Sequence, residues 1–205
     1  MRPVVSPRTP AAPGGAIGHA AYVERGGYRL LKRCVAGEIE ADMVLRSVEE
    51  SGLCDAQGPA ATQWLRVHQA SAPRAMEVCV GRDEGGRGGD AGGSGRMLLT
   101  RNPHRCFEGM LIAAWAVGAS SIRLLLQRGG HAALQALLAG ELVKLRRRRP
   151  YPGMPEIALG CGDAPPSALP TLRQGVETLY WVPDILDGGA EWFALQRRRP
   201  VVAAV

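Results

Sequence analysis

The stretch that decides the fold is residues 102–126, which read NPHRCFEGMLIAAWAVGASSIRLLL. Asn102 and Pro103 predict a helix start, because Asn is a good N-cap and Pro is favoured at the first helical position. Gly118 predicts the end of this helix, and residues 121–126 predict a strand. The side chains expected on the apolar face of the helix are Phe107, Met110, Leu111, Ala114 and Trp115.

The flanking segments continue this alternation of strands and helices. The predicted helices are 38–51, 59–68, 131–145 and 176–186, and the predicted strands are 76–80 and 156–159. The Gly-rich segment 81–95 predicts a loop. Because strands alternate with helices, the chain is expected to form an α/β domain with a partly parallel sheet.

The length of 205 residues is enough for one domain with a substantial core. No apolar run approaches the roughly 20 residues that span a bilayer. Residues 1–18 are rich in Pro, Ala, Gly and Arg and lack the continuous apolar region of a secretory signal. We therefore predict a cytoplasmic protein with a disordered leader over 1–20, an α/β domain over 21–196 and a tail over 197–205.

The net charge of +6 is concentrated in two arginine runs, 146–149 and 197–199. The simplest interpretation is solvated charge, with the first run also offsetting the negative end of a helix. An anionic partner is the alternative. Nucleic acid is not favoured, because the sequence has no helix-turn-helix, zinc finger or aromatic-basic stacking pattern.

The cysteines and histidines give no metal-binding pattern. No two cysteines form a C-x-x-C pair, so we expect reduced thiols and no iron–sulfur cluster. His104 lies at a predicted helix start beside Asn102, where a local hydrogen bond is the expected role. The five cysteines are Cys34, Cys54, Cys79, Cys106 and Cys161.

Two segments carry a recognisable family pattern: 102–119, and 176–193 with its VETLYWVPDIL and GAEWF. Both resemble the flavin-binding subunit of respiratory NADH dehydrogenase (complex I), and they resemble the β subunit of NAD-dependent formate dehydrogenases more closely. The resemblance covers roughly residues 22–193. It implies a Rossmann-like flavin-binding domain that is truncated here and lacks the family's C-terminal iron–sulfur domain.

The segment that resembles the family's phosphate loop has changed. In the family, a loop of the form G-x-G-G-A-G-F-P-T-G-x-K-W follows Ser-Gly-Leu, and its backbone amides and lysine attract the flavin phosphate. Here SGL is present at 51–53, but the shorter loop that follows keeps one glycine, Gly58. Asp55 and Gln63 stand where the family has a neutral residue and the lysine. The resemblance therefore implies weakened phosphate binding.

The other flavin-binding segments are partly preserved. In the family's N-A-D-E-G-E-P-G pattern, Asp83 and Glu84 match, while Gly81 replaces the asparagine. In the V-N-N-V-E-T-L pattern, Glu177 and Thr178 match and both asparagines are replaced. The resemblance thus implies FMN and NAD as cofactors, with binding weakened or lost. The cofactor-binding residues that it implies are Gly58, Asp83, Glu84, Glu177 and Thr178.

Two functions remain open at this point. The first is a degenerate relative that serves as a non-catalytic binding or assembly component of a dehydrogenase complex, with a thioredoxin-like or catalytic subunit as its partner. The second is a residual FMN-binding electron-transfer subunit that acts with NADH. The aromatic residues 180, 181, 192 and 193 suggest self-association or a partner surface, although they could equally fill the core.

Overall fold

The computed structural model describes residues 15–55, 58–80, 91–126, 132–162 and 167–198. Within these ranges the chain has the expected α/β fold, with helices packed on a parallel sheet. The helices are α1 (His19–Glu24), α2 (Arg29–Val35), α3 (Ala41–Glu50), α4 (Ala60–Gln69), α5 (Ala91–Arg101), α6 (Pro103–Val117), α7 (Ala132–Arg147), α8 (Val176–Gly188) and α9 (Ala190–Arg198). The strands are β1 (Cys54–Asp55), β2 (Gly58–Pro59), β3 (Arg74–Val80), β4 (Ala119–Leu126), β5 (Ile157–Cys161) and β6 (Thr171–Gly175).

Four strands form the main sheet in the order β5-β4-β3-β6, and every neighbouring pair is parallel. From β3 the chain moves outward to β4 and β5, then returns to the opposite side of β3 with β6. The direction of winding therefore reverses between β3 and β6. The short strands β1 and β2 form a separate antiparallel pair.

The two faces of the sheet differ in chemistry because side chains alternate along each strand. On one face, Met76, Ile122 and Leu172 lie side by side in register and belong to the hydrophobic core. On the other face, the buried carboxylate of Glu77 lies in register with Arg123 and Arg173. The core is thus built between the first face and the helices.

Helix α6 is the central helix of the core, and its ends are those that the sequence predicts. The Oδ1 atom of Asn102 accepts a hydrogen bond from the backbone N–H of Arg105 at 3.2 Å. Gly118 ends the helix with a left-handed φ of 69°. The predicted apolar face is buried except for Trp115, which is only half-buried.

Helix α6 approaches α8 so closely that only glycine fits at one position. A Cβ atom built on Gly109 would lie 1.9 Å from the carbonyl oxygen of Leu179. Arg105 adds a polar connection between the two helices, because it pairs with Asp184 and its guanidinium lies 4.9 Å from the ring centre of Tyr180.

Two elements differ from the sequence-based expectation. Helix α5 occupies the last part of the segment 81–95 that glycines marked as a loop; residues 81–90 lie outside the described ranges. The helix forms despite its glycines because tertiary packing overrides propensity, with Leu99 fully buried. Strand β6 was not predicted, since its sequence TLRQG has only one large apolar side chain.

The prediction that His104 forms a local hydrogen bond is wrong. Its partners are distant in sequence rather than local: Nδ1 lies 2.7 Å from the Tyr28 hydroxyl, and Nε2 lies 2.8 Å from Oε2 of Glu141. The nearby carboxylate of Glu108 accepts hydrogen bonds from the Tyr22 hydroxyl and from the backbone N–H of Tyr28. These buried contacts attach α1 and α2 to α6 and α7.

Helix α1 begins at His19, two residues before the expected domain start at residue 21, and residues 1–14 lie outside the described ranges. None of the helices that the structure describes combines the length and apolar character needed to cross a membrane.

Candidate functional site

An open cleft of about 1140 Å³ lies beside the carboxyl ends of β3 and β6. Its lining includes Cys79 on β3 and Gly175 on β6, which are paired in register. In α/β proteins, ligands bind at the carboxyl edge of a parallel sheet where the winding direction reverses. This cleft is therefore the candidate functional site.

One wall of the cleft comes from β1 and helix α4. Asp55 at the end of β1 contributes a carboxylate, and Gln63 and Arg66 line the cleft from α4. The last two residues are three positions apart, so they lie on the same side of the helix. Arg66 is exposed and supplies a cation one helical turn after Gln63, the position at which the family pattern has a lysine.

A second wall comes from β6, where the side chain of Gln174 is buried. Its Nε2 donates hydrogen bonds to the carbonyl oxygen of Arg173 at 2.9 Å and to Oε1 of Gln63 at 3.4 Å. Its Oε1 is buried and has no hydrogen-bond partner in the described part of the chain. An unpaired buried acceptor is costly, so this oxygen is an unsatisfied polar atom of a residue that lines the cleft.

The first turn of α8 completes this wall with Glu177 and Thr178. A carboxylate in the first turn is favoured by the positive end of the helix dipole. Glu177 also lies against α5, because a Cβ atom on Gly95 would be 2.7 Å from its Oε1. The missing side chain at Gly95 is what allows α5 to approach this carboxylate.

The described residues give the cleft little net charge to attract an anion. The charged residues among them that line it are Asp55, Glu177, Arg66 and Arg173, and their formal charges sum to zero. In addition, Nε of Arg173 donates to Oε2 of Glu77 at 2.9 Å, so part of its charge is already offset. A phosphate dianion would therefore find only weak electrostatic attraction here.

The structure brings together part of the expected cofactor-binding set. Glu177 and Thr178 line the cleft. Gly58 lies on β2 with a φ of 112° and is not among the described residues that line it. Asp83 and Glu84 lie outside the described residues, directly after β3.

Sequence reasoning missed Arg66 and Gln174 as cleft residues. Arg66 could have been found from helical spacing, because it follows Gln63 by one turn on a predicted helix. Gln174 could have been found from its side-chain amide, since it replaces the first asparagine of the V-N-N-V-E-T-L pattern. A position-by-position comparison with the family pattern misses both residues, because it ignores their neighbours in space.

The described residues fit the uncharged part of FMN better than its phosphate. The unpaired Oε1 of Gln174 offers an acceptor for a hydroxyl or ring N–H donor. The phosphate fits the described lining poorly, because Asp55 lies in it and Gly175 is the one glycine that the described residues contribute. Among the same residues, no group of three or more His, Cys, Asp or Glu is placed to hold a metal ion.

Comparison with known proteins gives two kinds of match. The chain is 26% identical over 221 aligned residues to an NADH-quinone oxidoreductase subunit of Rhizobium meliloti (strain 1021), a match that covers 84% of this chain and 49% of that protein. No protein-family model matches the chain.

Among solved structures, the chain resembles an NAD⁺-reducing [NiFe]-hydrogenase in two states. The H₂-reduced state matches with a TM-score of 0.62 and 25% identity, over 75% of this chain and 32% of that chain. The air-oxidised state matches with a TM-score of 0.57 and 26% identity, over 75% and 31%.

The parallel sheet and its cleft at the β3–β6 reversal define an α/β protein of the type found in flavin-binding subunits. The sequence and structural matches agree with the resemblance of its motifs to the flavin-binding subunits of complex I. The chain spans about half the length of the curated relative. The stronger likeness to formate dehydrogenase β subunits stays a prediction.

Proposed function

We propose that this chain is a non-catalytic binding or assembly component of a cytoplasmic NADH-dependent dehydrogenase complex. The observation that carries the proposal is the composition of the described cleft lining. Asp55 and Gln63 lie in it where the family pattern has a neutral residue and a lysine, and the formal charges of this lining cancel. A flavin-type scaffold is thus retained while the attraction for the flavin phosphate is reduced. A thioredoxin-like or catalytic dehydrogenase subunit is the proposed partner.

The second candidate is a residual FMN-binding electron-transfer subunit that acts with NADH. Two observations favour it: the unpaired buried Oε1 of Gln174 and the exposed cation of Arg66, both on the cleft. Arg66 could contact an anionic group of a ligand from α4, one turn beyond the lost lysine. These residues make weak binding of the cofactor reasonable even without the glycine loop.

Titration with FMN separates the two candidates. We expect quenching of FMN fluorescence to give a Kd weaker than about 10 µM, because the cleft lacks net positive charge. A Kd in the low micromolar range or below would favour the electron-transfer subunit and contradict the first proposal.

Substitution of Arg66 tests which part of the cleft contributes to any FMN binding. Arg66→Ala should weaken it by roughly tenfold if the guanidinium contacts the phosphate. Arg46→Ala, which removes an exposed arginine of α3 away from the cleft lining, is the matched control and should leave the Kd unchanged. Equal Kd values for both variants and the wild type would exclude Arg66 as a contact.

A further inference from the structure

A second cleft, of about 350 Å³, lies between α1, α2 and the segment that follows α7. Three cationic residues line it, Lys32, Arg148 and Arg149, together with His19 and one carboxylate, Glu24. We call this cleft the basic pocket. Within the described part of the chain, none of the three cationic side chains forms a salt bridge.

His19 lines the basic pocket and has a buried ring nitrogen without a hydrogen-bond partner among the described residues. The residue is only 6% exposed, and its Nε2 is buried with no hydrogen-bond partner among the residues that the structure describes. Its backbone N–H, by contrast, donates to Oε2 of Glu141 at 3.1 Å, which fixes the residue in place. A buried imidazole nitrogen without a partner costs free energy that a bound acceptor would recover.

Among the described residues, the basic pocket has more positive than negative charge. Two neighbouring cations already have partners. The Nζ atom of Lys144 lies 2.6 Å from Oε1 of Glu141, and Nη1 of Arg146 lies 2.5 Å from Oε1 of Glu156. Residues 1–23 contain no Asp or Glu, so the N-terminal segment has no carboxylate side chain to offer. Of the described residues that line the pocket, Glu24 is the one carboxylate beside the three cations.

The electrostatic environment of His19 agrees with this excess of positive charge. Burial lowers the pKa of His19, and repulsion from His104, Arg148 and Lys144 lowers it further, against an opposing effect of Glu141. His19 is therefore a neutral imidazole near neutral pH. In the Nε2–H tautomer of that state, the ring can donate a hydrogen bond to an anion without adding a buried charge.

We propose that the basic pocket binds a small phosphate-bearing anion. The guanidinium groups of Arg148 and Arg149 match phosphate oxygens in charge and geometry, and Lys32 adds an ammonium group. The Nε2–H of His19 donates the remaining hydrogen bond. Ala20, Val23 and Pro150 line the same pocket, so a phosphate ester with a small apolar part suits it better than a bare ion. The site is separate from the β3–β6 cleft and does not depend on the function proposed for that cleft.

Histidine NMR gives a direct test, because the chain has only four histidines, His19, His68, His104 and His131. The imidazole signals of the full chain are followed while inorganic phosphate or pyrophosphate is added at constant ionic strength. The His19 signal is assigned with His19→Gln. We expect a saturable shift of this signal below about 10 mM of either anion.

Two variants decide whether the basic pocket is responsible. The double variant Arg148→Ala/Arg149→Ala should weaken binding at least about tenfold, as expected when hydrogen bonds between charged groups are removed. Arg147→Ala removes an exposed arginine of α7 outside the pocket lining and should leave the affinity unchanged. Circular dichroism verifies that all variants are folded.

The source of the phosphate is tested with vesicles that contain phosphatidylinositol phosphate, compared with vesicles of phosphatidylcholine alone. Sedimentation with the first kind only would identify a lipid headgroup, whereas binding of the soluble anions without sedimentation would identify a free phosphate ester. Either result supports the phosphate site. The proposal is overturned if neither phosphate source binds, if all four histidine signals shift alike, or if the double variant binds as the wild type does.

Discussion

The buried pair of His104 and Glu141 connects α6 to α7 through ionisable groups. Burial acts to raise the pKa of Glu141, but hydrogen bonds from His104, from Lys144 and from the backbone of His19 outweigh it and lower this pKa to about 2. Burial also lowers the pKa of His104, although Glu141 acts in the opposite direction. Both groups therefore bind protons less readily in the folded chain than in the unfolded chain.

This pair predicts a loss of stability in acid. A group with a depressed folded-state pKa stabilises the protein above its unfolded-state pKa and loses that contribution as the pH falls toward the folded-state value. The loss should begin below the ordinary histidine pKa of 6.5 and continue, through Glu141, from 4.5 toward about 2. Each additional proton bound by the unfolded chain contributes a slope of about 1.4 kcal/mol per pH unit.

Urea unfolding at a series of pH values measures this effect. Glu141→Gln should reduce the slope of the free energy of unfolding between about pH 4.5 and the lowest accessible pH. Glu49→Gln, an exposed carboxylate of α3, is the control and should keep the wild-type slope. If both variants show the same pH dependence as the wild type, Glu141 does not titrate with folding as inferred.

The contact between α6 and α8 depends on Gly109. Alanine substitution at Gly109 and at Gly140, a glycine of α7, should therefore change stability in opposite directions. In Gly109→Ala, the new methyl group would lie 1.9 Å from the Leu179 carbonyl oxygen, so the two helices must separate. Overpacking of this kind should lower the free energy of unfolding by about 1–3 kcal/mol. In Gly140→Ala on α7, the methyl group meets nothing within 4 Å, and stability should rise by about 0.5–1 kcal/mol.

Urea denaturation of both variants and the wild type measures whether the two changes in the free energy of unfolding have opposite signs. The same substitution in two helices removes differences in intrinsic propensity from the comparison. An equal stabilisation by both changes would show that α6 and α8 do not approach each other as described.

Helix α6 and strands β3 and β4 could be predicted because their own residues determine them. Asn102, Pro103 and Gly118 act locally through capping and backbone geometry, and the apolar residues of 76–80 and 121–126 are typical of strands. Helix α5 and strand β6 could not be predicted, since α5 is stabilised by partners distant in sequence and β6 gains its place by pairing with β3. The periodicity of a short segment does not report such contacts.

Two residues that the sequence pattern implied, Glu177 and Thr178, line the cleft, and their role in cofactor binding stays a prediction. The candidate site was not predictable where a different segment supplies the same chemistry. Arg66 reaches the cleft because α4 passes it, and the row that joins Arg173 to Glu77 exists because β6 lies next to β3. Such groupings follow from the topology of the chain, which a sequence pattern does not encode.

The C-terminal helices leave an exposed apolar surface, which we call the aromatic patch: Trp181, Trp192 and Leu195. These residues are 38%, 42% and 63% exposed, whereas Phe193 is buried and Tyr180 is half-buried. Of the four aromatic residues considered for an interface, two therefore belong wholly or partly to the core. The remaining surface is of the kind that supports association between proteins.

We expect the wild-type chain to self-associate at tens of micromolar through the aromatic patch, and Trp192→Glu to be monomeric, because a charge placed in an apolar interface opposes its desolvation. Light scattering measures the mass of each variant, with circular dichroism to verify folding. Val143→Glu, which changes an exposed apolar residue of α7, is the matched control and should associate as the wild type does. A wild type that stays monomeric without a partner would contradict this role of the patch.

The pairing of β6 with β3 has a consequence for folding during synthesis on the ribosome. Strand β3 ends at Val80, whereas the strand that covers its free edge ends at Gly175, 95 positions later (175 − 80). At typical translation rates the nascent chain would carry this uncovered edge for about 5–20 s. An unpaired strand edge is a template for wrong pairing with other chains. Chaperones that shield nascent chains should therefore matter more for the yield of this protein than its modest size suggests.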